Sequence, residues 1–355
     1  MPEPKRIWNP PNPYLTEHRQ LLGEPPSAEL QIYEDESRSI LSHNDSPDIG
    51  FRWSVNPYRG CFHACSYCFA RPTHEYFGLG AGSDFERKIF VKPDAARLLE
   101  AAFRRKSWQG DLVMFSGVTD CYQPLEAAWR LTRQCLETCL AFRNPVGIIT
   151  KSLLIRRDAE LLAALAREAD AGVSISIPFL DEKIARLIEP GAPTIKRRFE
   201  TMEILARAGV SVSIGVAPLI PGLNDTDIPG LLKEAKRRGA HAAFHTLLRL
   251  PGSVKDVFFH RLKEVMPLRA ARVEHRIREG RRGQLYDNRF GHRHEGTGPY
   301  WEAIEQSWAM WTRRLGFAGD DGPPKPSTFR RPPLPTLEDQ LEFAWHLDAA
   351  SIPQP

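Results

Sequence analysis

From about residue 52 to residue 266, short β-branched or apolar runs alternate with stretches whose apolar residues recur every three or four positions. That alternation is the signature of βα units joined by right-handed crossovers into a parallel sheet. The runs are RWSVN, LVMFSG, VGIITK, VSISI, VSVSIGVAPL and AAFHTLL. Helices are predicted from Pro93 to about Arg105, then over Leu125–Phe142, Arg157–Ala169, Thr194–Ala208, Asp227–Arg238 and Val254–Met266. Pro93 suits a first turn, Gly209 a left-handed cap, and Pro267 a stop. Six such units fall short of the eight that close a parallel barrel, so an α/β fold with a partial, TIM-like (βα)6 barrel is expected, its open side able to admit a large substrate. QSWAMWTRRLGF reads as an amphipathic closing helix. No internal repeat is found.

The ends read differently. Residues 1–46 are polar and broken by prolines, with only ELQIYED suggesting a short strand, and are expected to form an irregular extension wrapping the core. Residues 47–317 carry the barrel and its helical closure. Residues 318–355 form a Pro-rich tail, too rich in proline to pack and therefore mobile or extended, although LEDQLEFAWHLDAA could be a short helix. The N-terminus lacks the apolar stretch of a secretory signal, which favours the cytoplasm. No apolar run approaches the roughly 18 residues of a membrane span. A formal charge of +4 permits polyanion binding without indicating it.

Six cysteines in 355 residues are too few for a disulfide scaffold, and three of them crowd into GCFHACSYCFA, directly after the first strand. Cys61, Cys65 and Cys68 are spaced C-x3-C-x2-C, so one loop can gather three thiolates. Thiolates suit iron–sulfur clusters and zinc, and a four-iron cluster normally takes four of them. With three, one metal position stays open, and an open position points to chemistry rather than scaffolding. The other reading is a structural zinc knuckle, with His63, His74 or Cys121 as fourth ligand and a nucleic acid as partner. Its context is poor, because small zinc modules use metal for want of a core, whereas this loop heads a long barrel pattern. Cys135 and Cys139, four apart on one helix, read as core packing.

The loops at the C-terminal strand ends should build the site. There the sequence places small Ser116 and Gly117, which allow close ligand approach, then Thr119 and Asp120, either of which could instead cap the next helix. Lys151 ends the third strand, where its ammonium could meet a carboxylate or phosphate or be solvated. Ser174 and Ser176 share one face of the fourth strand.

The spacing, with aromatic Tyr67 just before the third cysteine, resembles the radical S-adenosylmethionine (radical SAM) superfamily. The ordered set RGC-x3-C-x-Y-C, SGVTDCYQPLE, TKS and VSISIPFLDEKIARLIEPGAPTIKRRFE resembles its spore photoproduct lyase-like branch, over roughly Arg52 to Leu250. The resemblance implies a partial barrel of the radical SAM type and a 4Fe-4S cluster on Cys61, Cys65 and Cys68. It also implies S-adenosyl-L-methionine as cosubstrate, cleaved to a 5′-deoxyadenosyl radical, and a reductase or a flavodoxin- or ferredoxin-type electron donor. By the same resemblance Ser116 to Asp120 stand in for a glycine-rich motif against the methionine amino group, whose usual glycine-glycine-glutamate form is absent. Ser174 and Ser176 stand near the ribose, and IGVAPLIPGLND, with Gly215 and Pro218, near the adenine. The branch further implies a DNA lesion as substrate and a protein cysteine as hydrogen donor, for which Cys121 is the candidate and a buried thiol the alternative. RAARVEHRIREGRRG and YDNRFGHRHEG could contact phosphates, with Tyr286, Phe290 and the histidines stacking on bases, or form a solvated helix face and loop. A monomer is expected.

Overall fold

The computed structural model describes residues 8–16, 29–317 and 327–333. Its strands are β1 (Gln31–Glu34), β2 (Leu41–His43), β3 (Trp53–Val55), β4 (Tyr58–Arg59), β5 (Lys88–Val91), β6 (Val113–Phe115), β7 (Val146–Thr150), β8 (Ala171–Ser176), β9 (Ser211–Leu219) and β10 (Ala242–Leu247). The large sheet runs β10-β9-β8-β7-β6-β3-β2, and from β3 to β10 every neighbouring pair is parallel. The six parallel strands are the six apolar runs, stacked in chain order as right-handed crossovers require. Among the described residues β10 pairs only with β9, so the barrel is partial and open.

Alternation within each strand sorts the two faces. In β8, Val173 and Ile175 are each 1% exposed and join the main core with Leu162 and Phe199 of flanking helices. Burying each contributes about 1.5–3 kcal/mol. The two-residue period leaves Ser174 and Ser176 on the opposite face, inside the curve of the sheet. Helix Ile195–Arg207 starts at Thr194, whose hydroxyl accepts the Arg197 N–H, and ends before Gly209 at φ +85°. The closing helix Pro299–Leu315 buries Trp301, Ile304 and Trp308. Cys135 and Cys139 have no exposed surface and lie in the core.

Three departures have clear causes. The helix expected over Leu125–Phe142 is broken into Glu126–Trp129 and Leu131–Ala141, with Arg130 left-handed at φ 53°. Glu126 turns its carboxylate onto the second piece, accepting the Thr132 and Arg133 N–H groups at 3.0 and 3.2 Å, and so caps a helix start no local residue signals. A second sheet, β1-β5-β4, was not legible because its strands are only two to four residues long; β1 is the strand in ELQIYED, and β2 adds an antiparallel edge to the large sheet. The third concerns the tail, where residues 327–333 pack against the barrel instead of ranging free. Phe329 stacks on Phe142 and meets Phe103 edge-on, Thr328 donates to Arg143 O or Ala169 O, and Arg331 reaches the Arg105 and Trp108 carbonyls at 2.7 Å. Proline forbids a ladder but not anchoring by its neighbours. The helix considered in LEDQLEFAWHLDAA lies outside the described residues.

Candidate active site

The cysteine loop leaves β4 through Gly60, whose φ of +78° and closeness to Phe85 O, 2.8 Å from where a Cβ would sit, admit only glycine without displacement. Ala64, at φ 54°, reverses the chain between the first two cysteines. Cys61 N–H donates to Phe85 O at 3.0 Å and Ser66 N–H to Ile188 O at 2.9 Å, which ties the loop to both flanks. The main brace is Arg71, a side chain with no exposed surface. Its guanidinium donates to Cys65 O at 3.0 and 2.9 Å, Ala81 O at 2.8 Å, Gly82 O at 3.2 Å and the Glu86 carboxylate at 2.6 Å.

Cys61 and Cys65 are buried and Cys68 is half-buried. Burial pushes the Cys65 thiol well up, with the Glu189 charge adding to it, and pushes Cys68 up to about 11, with the Cys61 sulfur adding to it. Three soft donors at the mouth of a barrel fit a 4Fe-4S cluster. Each candidate fourth ligand of a closed zinc site has a partner of its own, and His63 also stands against the Cys61 sulfur. His63 Nδ1 meets Asp120 at 3.2 Å, His74 Nε2 meets Lys88 O at 2.8 Å, and Cys121 Sγ meets Ser116 Oγ at 3.8 Å. Among the described residues no three His, Cys, Asp or Glu side chains gather around one ion-sized point. The irons of a cubane occupy separate corners, so its thiolates need no common point.

Around the loop, the strand ends bring most of the expected residues together. Lys151, after β7, places Nζ 2.5 Å from Ser176 Oγ at the end of β8, 3.6 Å from Glu189 and 5.8 Å from the centre of the Tyr67 ring. Tyr67 donates to Glu189, and Arg198 donates to the same carboxylate at 2.6 Å. Burial works to protonate Glu189, but Arg198 and Lys151 outweigh it and keep its pKa below the usual range. This fully buried pair therefore stays ionised and fixes Tyr67 beside the third cysteine.

Asp120 is a second hub. It accepts Thr150 Oγ1 at 2.6 Å, Lys151 N–H at 2.8 Å and Tyr122 N–H at 2.9 Å, besides His63. Burial opposes ionisation, yet the His63 charge and these bonds bring it down to about 2. His63 is held up to about 10 by Asp120 and the Cys61 sulfur despite its burial. Asp120 thus joins the cysteine loop to the end of β7 rather than capping a helix. Thr119 is likewise a brace, with Oγ1 donating to Gly60 O at 2.5 Å, where Gln123 Nε2 also donates at 3.1 Å.

Ser116 and Gly117 have φ of 121° and 131°, and Ser116 Oγ donates to Ile149 O at 2.5 Å. A non-glycine residue held there is strained, and such strain gathers at ligand sites. A Cβ on Gly117 would meet nothing within 4 Å, so this turn faces open space. Two expected residues stand apart. Ser174 pairs with Ser213 at 2.6 Å, deeper along β8, and Cys121 is enclosed in the core behind Ser116 with no exposed surface. Gly215 lies under the Phe244 ring, and the Ala217–Pro218 peptide is cis.

Sequence reading missed Arg71, Glu189 and Arg198. Arg198 left a signal: it lies on the apolar stripe of Ile195, Phe199 and Met202, and a charge on a buried face needs a partner.

A family model described as the Radical SAM superfamily matches residues 55–235. An uncharacterized protein of Mycobacterium tuberculosis is 35% identical over 234 residues, 65% of this chain and 69% of the relative. A protein of Acidianus two-tailed virus is 31% identical over 212 residues, 56% of this chain and 68% of the relative. Among solved structures, spore photoproduct lyase complexed with dinucleoside spore photoproduct superimposes with a TM-score of 0.57 at 15% identity, over 80% of this chain and 79% of that one. A point mutant of the same lyase gives 0.55 at 16% identity, over 85% and 86%. At these identities the likeness is one of fold.

Proposed function

Because the chain belongs to the radical SAM superfamily, we propose that Cys61, Cys65 and Cys68 hold a 4Fe-4S cluster and that S-adenosyl-L-methionine binds beside it. When bound, the cluster supplies the electron that cleaves the sulfonium and yields a 5′-deoxyadenosyl radical. The observation that carries the reading is the three-cysteine loop at the C-terminal mouth of a six-stranded parallel sheet, with Lys151 and Ser176 in contact across it.

The chain's own residues bind, orient and exclude water. Arg71 and Asp120 fix the loop from two sides, so the donor sulfurs are placed before any ligand arrives. Lys151 offers an ammonium to the methionine carboxylate, and the turn at Ser116 and Gly117 admits a ligand closely. Ser176 supplies a hydroxyl at the end of β8. Tyr67, held by Glu189, walls the site against water, which would quench a radical. The electron comes from a reductase or a flavodoxin- or ferredoxin-type protein.

The substrate in this reading is a nucleic-acid lesion of the photoproduct kind, supported by the shared fold and by the open side of the barrel. Cys121 can serve as hydrogen donor only if the Ser116–Gly117 turn opens, since its sulfur is enclosed behind it. Anaerobic reconstitution tests the first claim: a brown protein that, once reduced, converts S-adenosylmethionine to 5′-deoxyadenosine, with Cys65→Ala colourless and inactive. A colourless protein carrying one zinc ion and no turnover refutes it. Incubation with dimer-containing DNA, following deuterium from substrate into 5′-deoxyadenosine, tests the second.

A further inference from the structure

Four arginines around the last barrel strand are neutralised. Arg276 pairs with Glu279, Arg278 with Glu274, Arg289 with Asp287 and Arg293 with Asp48, at 2.6 to 2.8 Å. Two are not. The arginine nitrogens that are buried without a hydrogen-bond partner among the described residues are Arg249 Nε and Arg281 Nε and Nη1. They belong to one place. Arg281 is 6% exposed and donates its remaining nitrogen to Leu248 O at 3.0 Å and Arg293 O at 3.1 Å. Leu247 N–H in turn donates to His294 O at 2.8 Å, which brings His294 to the same strand end. Both His294 ring nitrogens are buried without a hydrogen-bond partner, the nearest acid being Asp48 at 3.8 Å, already held by Arg293 through 2.9 and 2.6 Å bonds.

We infer that Arg249, Arg281 and His294, at the C-terminal end of β10, form a phosphate-binding pocket that seats a phosphodiester of the substrate beside the cysteine loop. The placement comes from Arg249, whose guanidinium lies 4.9 Å over the ring of Phe69, the residue after Cys68. Phe69 is 45% exposed, and Arg281 lies 5.8 Å over Tyr286, so aromatic faces flank the cations as stacking surfaces for bases. Burying guanidinium N–H groups without an acceptor is costly, and an oxyanion supplies acceptors and charge together. Burial and neighbouring Arg249 and Arg293 hold His294 down to about 4, so at neutral pH it is an uncharged donor. Two guanidinium forks and an imidazole can donate to different oxygens of one phosphate.

The inference rests on the proposed function only in calling the occupant a substrate. The test titrates inorganic phosphate into the reconstituted full-length protein by calorimetry, with thymidylyl-thymidine and thymidine as competitors. Phosphate is expected to bind, to be displaced by the dinucleotide and not by thymidine, and to bind at least tenfold more weakly to Arg249→Gln and His294→Gln. Arg281→Gln should match them, and if it fails to fold the other two decide. Arg278→Gln, which alters a paired surface arginine, should bind as wild type does. No phosphate binding, equal binding by Arg249→Gln, or an adventitious anion that the dinucleotide leaves in place overturns the proposal. Displacement by S-adenosylmethionine also overturns it, since the cations would then seat the cosubstrate carboxylate. Cosubstrate cleavage without phosphate binding sinks the pocket alone, and phosphate binding without cleavage sinks the radical reading alone.

Discussion

Replacing Arg71 with methionine removes one side chain and strips four groups of their partner. The carbonyls of Cys65, Ala81 and Gly82 lose their donor, and the Glu86 carboxylate, 9% exposed, loses its counter-charge at 2.6 Å. Breaking a buried pair by deleting one partner costs about 3–5 kcal/mol. A domain stable by about 5–15 kcal/mol loses about a fifth of its stability or more. At about 3 kcal/mol per molar for the urea slope, the midpoint of the cluster-free protein should fall by about 1 M or more. Because Cys65 O is the atom most directly released, iron bound per chain after reconstitution should fall further than the folded fraction does. Adding Glu86→Gln removes the stranded charge, so Arg71→Met with Glu86→Gln should recover part of the urea midpoint but little of the iron. An Arg71→Met protein with an unchanged midpoint and a full complement of iron refutes the claim that this guanidinium holds the loop.

Other sites give independent tests. Lys92 is 7% exposed and its pKa is depressed to about 8 by burial and by Arg59. Between about 8 and the ordinary 10.5 the unfolded chain holds more protons, so stability rises with pH across that window. Lys92→Met should therefore stabilise the protein by about 1–3 kcal/mol at pH 7 and less above pH 10, read as melting temperature against pH. His294, depressed to about 4, is another group the folded state prefers neutral. Its contribution is present above pH 6.5 and lost as pH falls towards 4, so His294→Gln should flatten that limb of the stability curve; an identical limb would count against its burial. Glu126→Ala leaves Tyr58, Arg157 and two helix N–H groups without their acceptor, and should cost about 3 kcal/mol in urea unfolding.

Local pattern alone carried the six parallel strands, their order and the three-cysteine loop, because strand periodicity, crossover handedness and ligand spacing are properties of neighbouring residues. It also placed Lys151 and Ser176 at strand ends, where geometry brings them into contact. Tertiary structure decided what depends on residues far apart in the chain. Glu189 meets Tyr67 across 122 positions, and Glu126 meets Tyr58 across 68. Which arginines are spent and which remain open is likewise a matter of packing. Arg276, Arg278 and Arg281 read alike in the sequence, yet two find carboxylates one turn away and the third is folded inward without one. Charge can be counted along a chain, but whether water or a carboxylate reaches it is settled only when the surfaces close.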